Sequence, residues 1–117
     1  MSDSQTRLPV VLYWHMHQPD YRGPEGSDYQ LPWVYLHGIK DYVDMVAHLE
    51  AEPKARAVVN FVPVLLEQIS DYADQINTWL ETGKPIGDPL LAALAGPDIT
   101  SDHAERMEML KACRRAN

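Results

Sequence analysis

Two histidines one residue apart, His15 and His17, close the apolar run Val10-Val11-Leu12-Tyr13-Trp14, and Gln18-Pro19 ends it. Successive strand side chains alternate between faces, so both imidazoles are expected on one face at the strand's C-terminal end. In α/β folds that end is where ligands bind and chemistry occurs. A neutral imidazole both donates and accepts hydrogen bonds, which suits contact with sugar hydroxyls. The same spacing suits a divalent metal in a hydrolase barrel, provided further His, Asp or Glu ligands join it. The sequence supplies no second strand-end cluster of that kind. Spacing alone leaves the two chemistries open.

Other candidates surround this pair. Trp14, Tyr21, Tyr29, Trp33 and Tyr35 cluster around the segment that follows it. Sugar rings offer C–H faces to aromatic planes and hydroxyls to polar groups, although aromatic packing alone explains such residues equally well. Asn60, near the end of a second apolar run, is a further site candidate. His37, Lys40, Asp41 and Asp44 read as the solvated face of a helix. Asp102, His103 and Glu105 read as a helix start with favourable dipole interactions. Cys113 reads as structural or incidental. The chain has no nucleophile elbow, phosphate loop, Gly-rich dinucleotide turn or zinc-spaced cysteine set.

Positioning these residues requires strands and helices in alternation. Residues 8–14 read as a strand buried on both faces. Residues 18–32 hold three prolines and two glycines and form a long loop of the kind that is usually functional. Leu36, Ile39, Val43, Val46 and Leu49 fall at helical spacing, which predicts one helix from Trp33 to about Glu52, closed by Pro53. Residues 56–62 form the second strand. Pro63 then opens a helix whose stripe is Leu66, Ile69, Ala73, Ile76 and Leu80, ending before Gly83. A short helix over 88–95 is expected to stop at Gly96-Pro97. A last one starts near Asp102 with Asp102 and Glu105 as a capping-box-like pair and runs through Met107 and Leu110.

The order is strand, helix, strand, helix and two more helices, which is the opening of an α/β barrel or open sheet. A complete barrel needs about 200 residues or more, so this chain is expected to hold about its first third. Two such strands leave edges unpaired, and Val10, Tyr13, Val58 and Phe61 are expected to be partly exposed.

At 117 residues the chain suits one domain with a real core. Its net charge of −7, from 10 basic and 17 acidic residues, argues against nucleic acid as a partner. The single cysteine rules out an internal disulfide, and the absence of an apolar leader or span predicts a cytoplasmic protein with no membrane partner.

The segment HMHQPDYR, with LPWVYLHGIKDYVDM after the loop and VVNFVPVLLEQI in the next strand and helix, resembles the N-terminus of glycoside hydrolase family 57. The likeness is to its α-amylase/α-mannosidase-like branch and is strongest over residues 8–74. Residues 83–117 carry no motif that can be placed. The resemblance implies an incomplete (β/α)7 barrel, of which residues 1–117 supply the first two βα units with additional C-terminal helices. It implies retaining chemistry on α-glucans or maltooligosaccharides, with a nucleophilic glutamate and an acid/base aspartate about 5–5.5 Å apart. Both motifs are absent here, so no catalytic residue is assigned and both groups are expected beyond Asn117. What carries over is substrate contact by His15 and His17, with Gln18 as a polar contact, Pro19 completing the motif, and Trp33 bordering the site. No metal or cofactor is implied. The rival readings are a metal-dependent hydrolase barrel with His15 and His17 as ligands, and a small non-catalytic binding module.

Overall fold

The structure, a computed structural model, describes residues 8–24, 28–96 and 102–115. The expected helix stop at Gly96-Pro97 is described only as far as Gly96; Pro97 and the middle of the first loop lie outside the described residues. The elements are β1 (Leu12–Met16), α1 (Trp33–Ile39), α2 (Asp41–Ala51), β2 (Ala57–Phe61), α3 (Pro63–Thr82), α4 (Pro89–Ala95) and α5 (His103–Arg115). The mixed α/β class matches the sequence reading, with one helix more than expected between the strands.

β1 and β2 pair in parallel, with Tyr13 opposite Val58, His15 opposite Asn60 and Met16 opposite Phe61. Because side chains alternate, Trp14, Met16, Val59 and Phe61 share one face while Tyr13, His15, Val58 and Asn60 share the other. Helices cover only the first face. There, Met16 is buried with Leu65 and Tyr72 of α3, and Trp14 packs against that core. The second face is open. Tyr13 is 59% exposed and Val58 50%. On the helix side Met16 is buried and Trp14 partly covered, while Val59 and Phe61 stay exposed, where the apolar run had predicted burial on both faces. Val10 and Phe61, expected to be partly exposed, are exposed as well.

The single helix expected over 33–52 is two. Lys40 adopts φ −124° and ψ −76°, outside the helical region. Its carbonyl then accepts from Asp44 N–H at 2.8 Å, which restarts the ladder as α2. Gly38 weakens the end of α1, and Asp41 and Asp44 favour a helix N-terminus in the next segment. The break changes which stripe is buried. Val34 of α1 is fully covered and Tyr35, Tyr42 and Met45 pack on the core, whereas Ile39, Val43 and Val46 are exposed.

α3 begins with Pro63 in its first turn and ends at Gly83, whose φ of +73° is the left-handed conformation that glycine adopts without penalty. Its buried face is also rotated from the expected one. Leu65, Gln68 and Tyr72 are buried, while Leu66 and Leu80 stay exposed. The displacement has a local cause: Pro19, Tyr21 and Tyr29 lie against α3 and take polar partners from it. Arg22 and Tyr29 also form an antiparallel bridge, so the two described arms of the loop are pinned to each other. Tyr29 is buried, donates to Asp71 Oδ2 (2.8 Å) and stacks on Tyr72 with ring centroids 4.1 Å apart.

α4 starts where expected because Asp88 caps it, accepting from Leu90 N–H (2.9 Å) and Leu91 N–H (3.0 Å). The buried Asp88 carboxylate also accepts from Tyr72 Oη at 2.5 Å. Burial, followed by these carboxylate contacts, pushes both Tyr29 and Tyr72 well above the usual tyrosine range. α5 opens with Glu105 N–H donating to Asp102 Oδ1 (3.0 Å), the first half of the expected capping pair. Among the described residues no helix is long and apolar enough to cross a membrane.

Candidate functional site

The open face of the sheet carries the histidines at its C-terminal end. His15 is the fourth residue of β1, and His17 lies just past its last residue. The alternation places their rings side by side: the planes are within 9° of parallel and the centroids are 5.7 Å apart. β2 supplies the third member. Asn60 stands opposite His15 in the parallel register, and its Oδ1 accepts from His15 Nδ1 at 2.7 Å. That bond sets the tautomer. With the proton on Nδ1, the neutral ring keeps Nε2 as an acceptor toward whatever occupies the face.

The two histidines are held differently. His15 sits in the ladder and is tied to Asn60. His17 has no hydrogen-bonding partner among the described residues and lies alongside the His15 ring. Both are exposed. Among the described residues no three His, Cys, Asp or Glu side chains gather as a metal-binding group.

Gln18 turns away from the histidine row. Its Oε1 accepts from Tyr21 Oη (2.9 Å) and its Nε2 donates to Tyr42 Oη (3.4 Å), so it ties the loop to α2. Burial, and then the neighbouring Tyr42, raise the Tyr21 phenol above its ordinary value. Pro19 presents its carbonyl to α3, where Gln68 Nε2 donates to it at 2.8 Å. Trp33 opens α1 and stacks on His37 with centroids 5.9 Å apart. It lines a separate cavity of about 410 Å³ with Leu31, Asp88, Leu90 and Arg115. The fold therefore gathers His15, His17 and Asn60, keeps Gln18 beside them in a structural bond, and sets Trp33 against other neighbours.

Two groups gain roles that local sequence does not announce. His37 donates from Nδ1 to Asp41 across the α1–α2 break, and this contact, then Lys40, holds the Asp41 carboxyl below its ordinary range. Gln68 lies in the middle of an amphipathic helix, and a polar residue at a buried helical position was its only signal. Near the loop's start, hydrogen bonds from the Arg22 side chain and backbone bring the Asp20 carboxyl down to about 2.

The model of Glycosyl hydrolase family 57 matches residues 11–112. The chain belongs to that family. The match takes in both strands, the whole histidine row and the first four helices, together with most of α5. No curated protein and no solved structure matches the chain. Membership in family 57 assigns a glycoside hydrolase type of function and a carbohydrate substrate to the protein in general terms. In this family-57 chain the only uncovered strand-end polar row among the described residues is His15, His17 and Asn60.

Proposed function

We propose that this chain forms the first two βα units of an incomplete (β/α)7 barrel, and that the complete enzyme acts on α-glucans with retention. In this reading residues 1–117 are the N-terminal part of the catalytic domain. His15, His17 and Asn60 line the subsite of the sugar being cleaved; Gln18 and Trp33, held by other neighbours, are not assigned to it. The nucleophilic glutamate and the acid/base aspartate come from later strands. The protein works in the cytoplasm, without a metal or cofactor.

The observation that carries this reading is the open sheet face. Parallel strands expose their C-terminal ends at the ligand-binding rim of an α/β barrel, and the helix-free face is the barrel interior. The face here holds apolar Tyr13 and Val58 at the bottom and His15, Asn60 and His17 at the top. A packed interior below a polar rim has that gradient. His15 Nε2 is left to accept from a sugar hydroxyl, and the parallel His17 ring offers a second contact at the same level. No third His, Cys, Asp or Glu joins the two imidazoles among the described residues, which favours sugar contact over metal binding.

The test uses the natural polypeptide that carries these residues. Maltooligosaccharide turnover is measured for the parent and for His15→Ala and His17→Ala. Each variant is expected to lose about 2–4 kcal/mol of transition-state stabilisation with the melting temperature nearly unchanged. Variants that melt several degrees lower with specific activity intact would refute the assignment. One equivalent of zinc, iron or manganese that disappears in His15→Ala would put the metallohydrolase reading in its place.

A further inference from the structure

His17 stands beyond the last residue of β1: on its N-terminal side the Met16 carbonyl still accepts from Val62 N–H at 3.1 Å, but no strand pairing holds its C-terminal side. Its position is inherited from the chain that follows. That chain is gripped at two backbone groups by a single side chain of α3. Gln68 is fully buried, with 0% exposure. Its Nε2 donates to the Pro19 carbonyl at 2.8 Å and to the Val64 carbonyl of its own helix at 3.1 Å. Its Oε1 accepts from Tyr21 N–H at 3.0 Å. Both amide hydrogens and the carbonyl are therefore used. Two of the three bonds go to backbone groups two and four residues beyond His17.

We infer that Gln68 is a positioning residue for His17, setting where the second imidazole of the row stands while leaving His15 to its strand and to Asn60. The inference rests on the reading of His17 as a sugar contact only for its effect on turnover. The placement itself is a property of the fold. A primary amide is the natural group for this position: it offers donor and acceptor from one planar head, matching a carbonyl and an N–H that the loop presents to α3. Methionine has nearly the same length and neither function.

Gln68→Met is made in the natural polypeptide alongside Tyr29→Phe. The latter removes the hydroxyl's bonds to Asp71 and to the Gln68 backbone carbonyl while leaving the Gln68 side chain's bonds to Pro19 and Tyr21 in place. Histidine-labelled protein is followed by NMR, the Tyr21 amide by hydrogen exchange, and maltooligosaccharide turnover by kcat and KM separately. In Gln68→Met the His17 ring signals are expected to shift and the Tyr21 amide to exchange faster, with the His15 signals unchanged. kcat should fall roughly 100-fold with little change in KM, the scale of loss that misplacing a group by about 1 Å produces. Tyr29→Phe should melt lower and keep its kcat. His17 signals and kcat unchanged in folded Gln68→Met would overturn the inference. So would kcat losses in both variants that simply follow their melting temperatures. If His17 moves as expected but even the parent turns over no α-glucan, the placement by Gln68 stands and the proposed activity fails. Should Gln68→Met not fold, Gln68→Glu, which keeps the acceptor for Tyr21 and loses the donor to Pro19, is read by the same measurements.

Discussion

The pinned loop with α1, α3 and α4, and the two-stranded sheet, obey opposite rules. Around Tyr29, Leu65, Gln68, Tyr72 and Asp88 every buried polar side chain among the described residues is hydrogen-bonded, and the apolar groups between them are covered. On the sheet, strands of strong β formers leave Tyr13 and Val58 exposed on a face with no cover. The first region is finished by its own residues; the second has the composition of an interior and the surroundings of a surface. Family-57 sequence thus carries a locally satisfied pole and a face whose apolar character is explained by burial in the proposed barrel.

This contrast is most easily broken in the packed pole. Leu65→Ala, at a site with no solvent exposure, should cost about 2–5 kcal/mol in thermal or denaturant unfolding, through lost burial and the cavity left behind. A loss below about 1 kcal/mol would mean that this pole is not the stable part of the chain. Asp88→Ala removes a cap and the acceptor of the Tyr72 hydroxyl together, and should cost about 2 kcal/mol or more. Circular dichroism and hydrogen exchange of the Leu90 and Leu91 amides should show α4 fraying first.

The same pole sets an alkaline limit. Folded Tyr29 and Tyr72 have pKa values raised above the ordinary 10.0, so the folded state retains their protons when the unfolded chain has lost them. Their contribution to stability is complete below pH 10 and is lost as pH rises toward the folded values. Melting temperature should fall above pH 10, and the fall should be shallower in Tyr29→Phe. Phenolate absorbance appearing at ordinary tyrosine pH before any unfolding would contradict the buried pairs.

The smallest effect is expected on the open sheet, and it is the most diagnostic. In the 117-residue chain, Tyr13→Ser with Val58→Thr should change unfolding by less than about 0.5 kcal/mol while lowering self-association and the binding of hydrophobic dyes. In a longer polypeptide whose barrel closes over this face, the same pair should cost several-fold more, on the order of 1–3 kcal/mol per side chain. Equal costs in both contexts would remove the support for a barrel interior.

Residue types and spacing alone determined a good deal of this molecule. The mixed α/β class, the Pro63 start and Gly83 end of α3, the start of α4 and the pairing of His15 with His17 on one face are all local consequences of backbone sterics and strand alternation. Tertiary structure decided the rest. It chose Leu65, Gln68 and Tyr72 over the more apolar Leu66 and Leu80 as the buried face of α3. It broke the first helix at Lys40, left one sheet face bare and brought Asn60 to His15. Helical periodicity identifies a stripe, but burial of Gln68 depends on a carbonyl and an N–H presented from 49 and 47 residues away. The bond that fixes the His15 tautomer likewise spans 45 residues. A local pattern holds no information about such partners. Only the folded chain brings them within 3 Å.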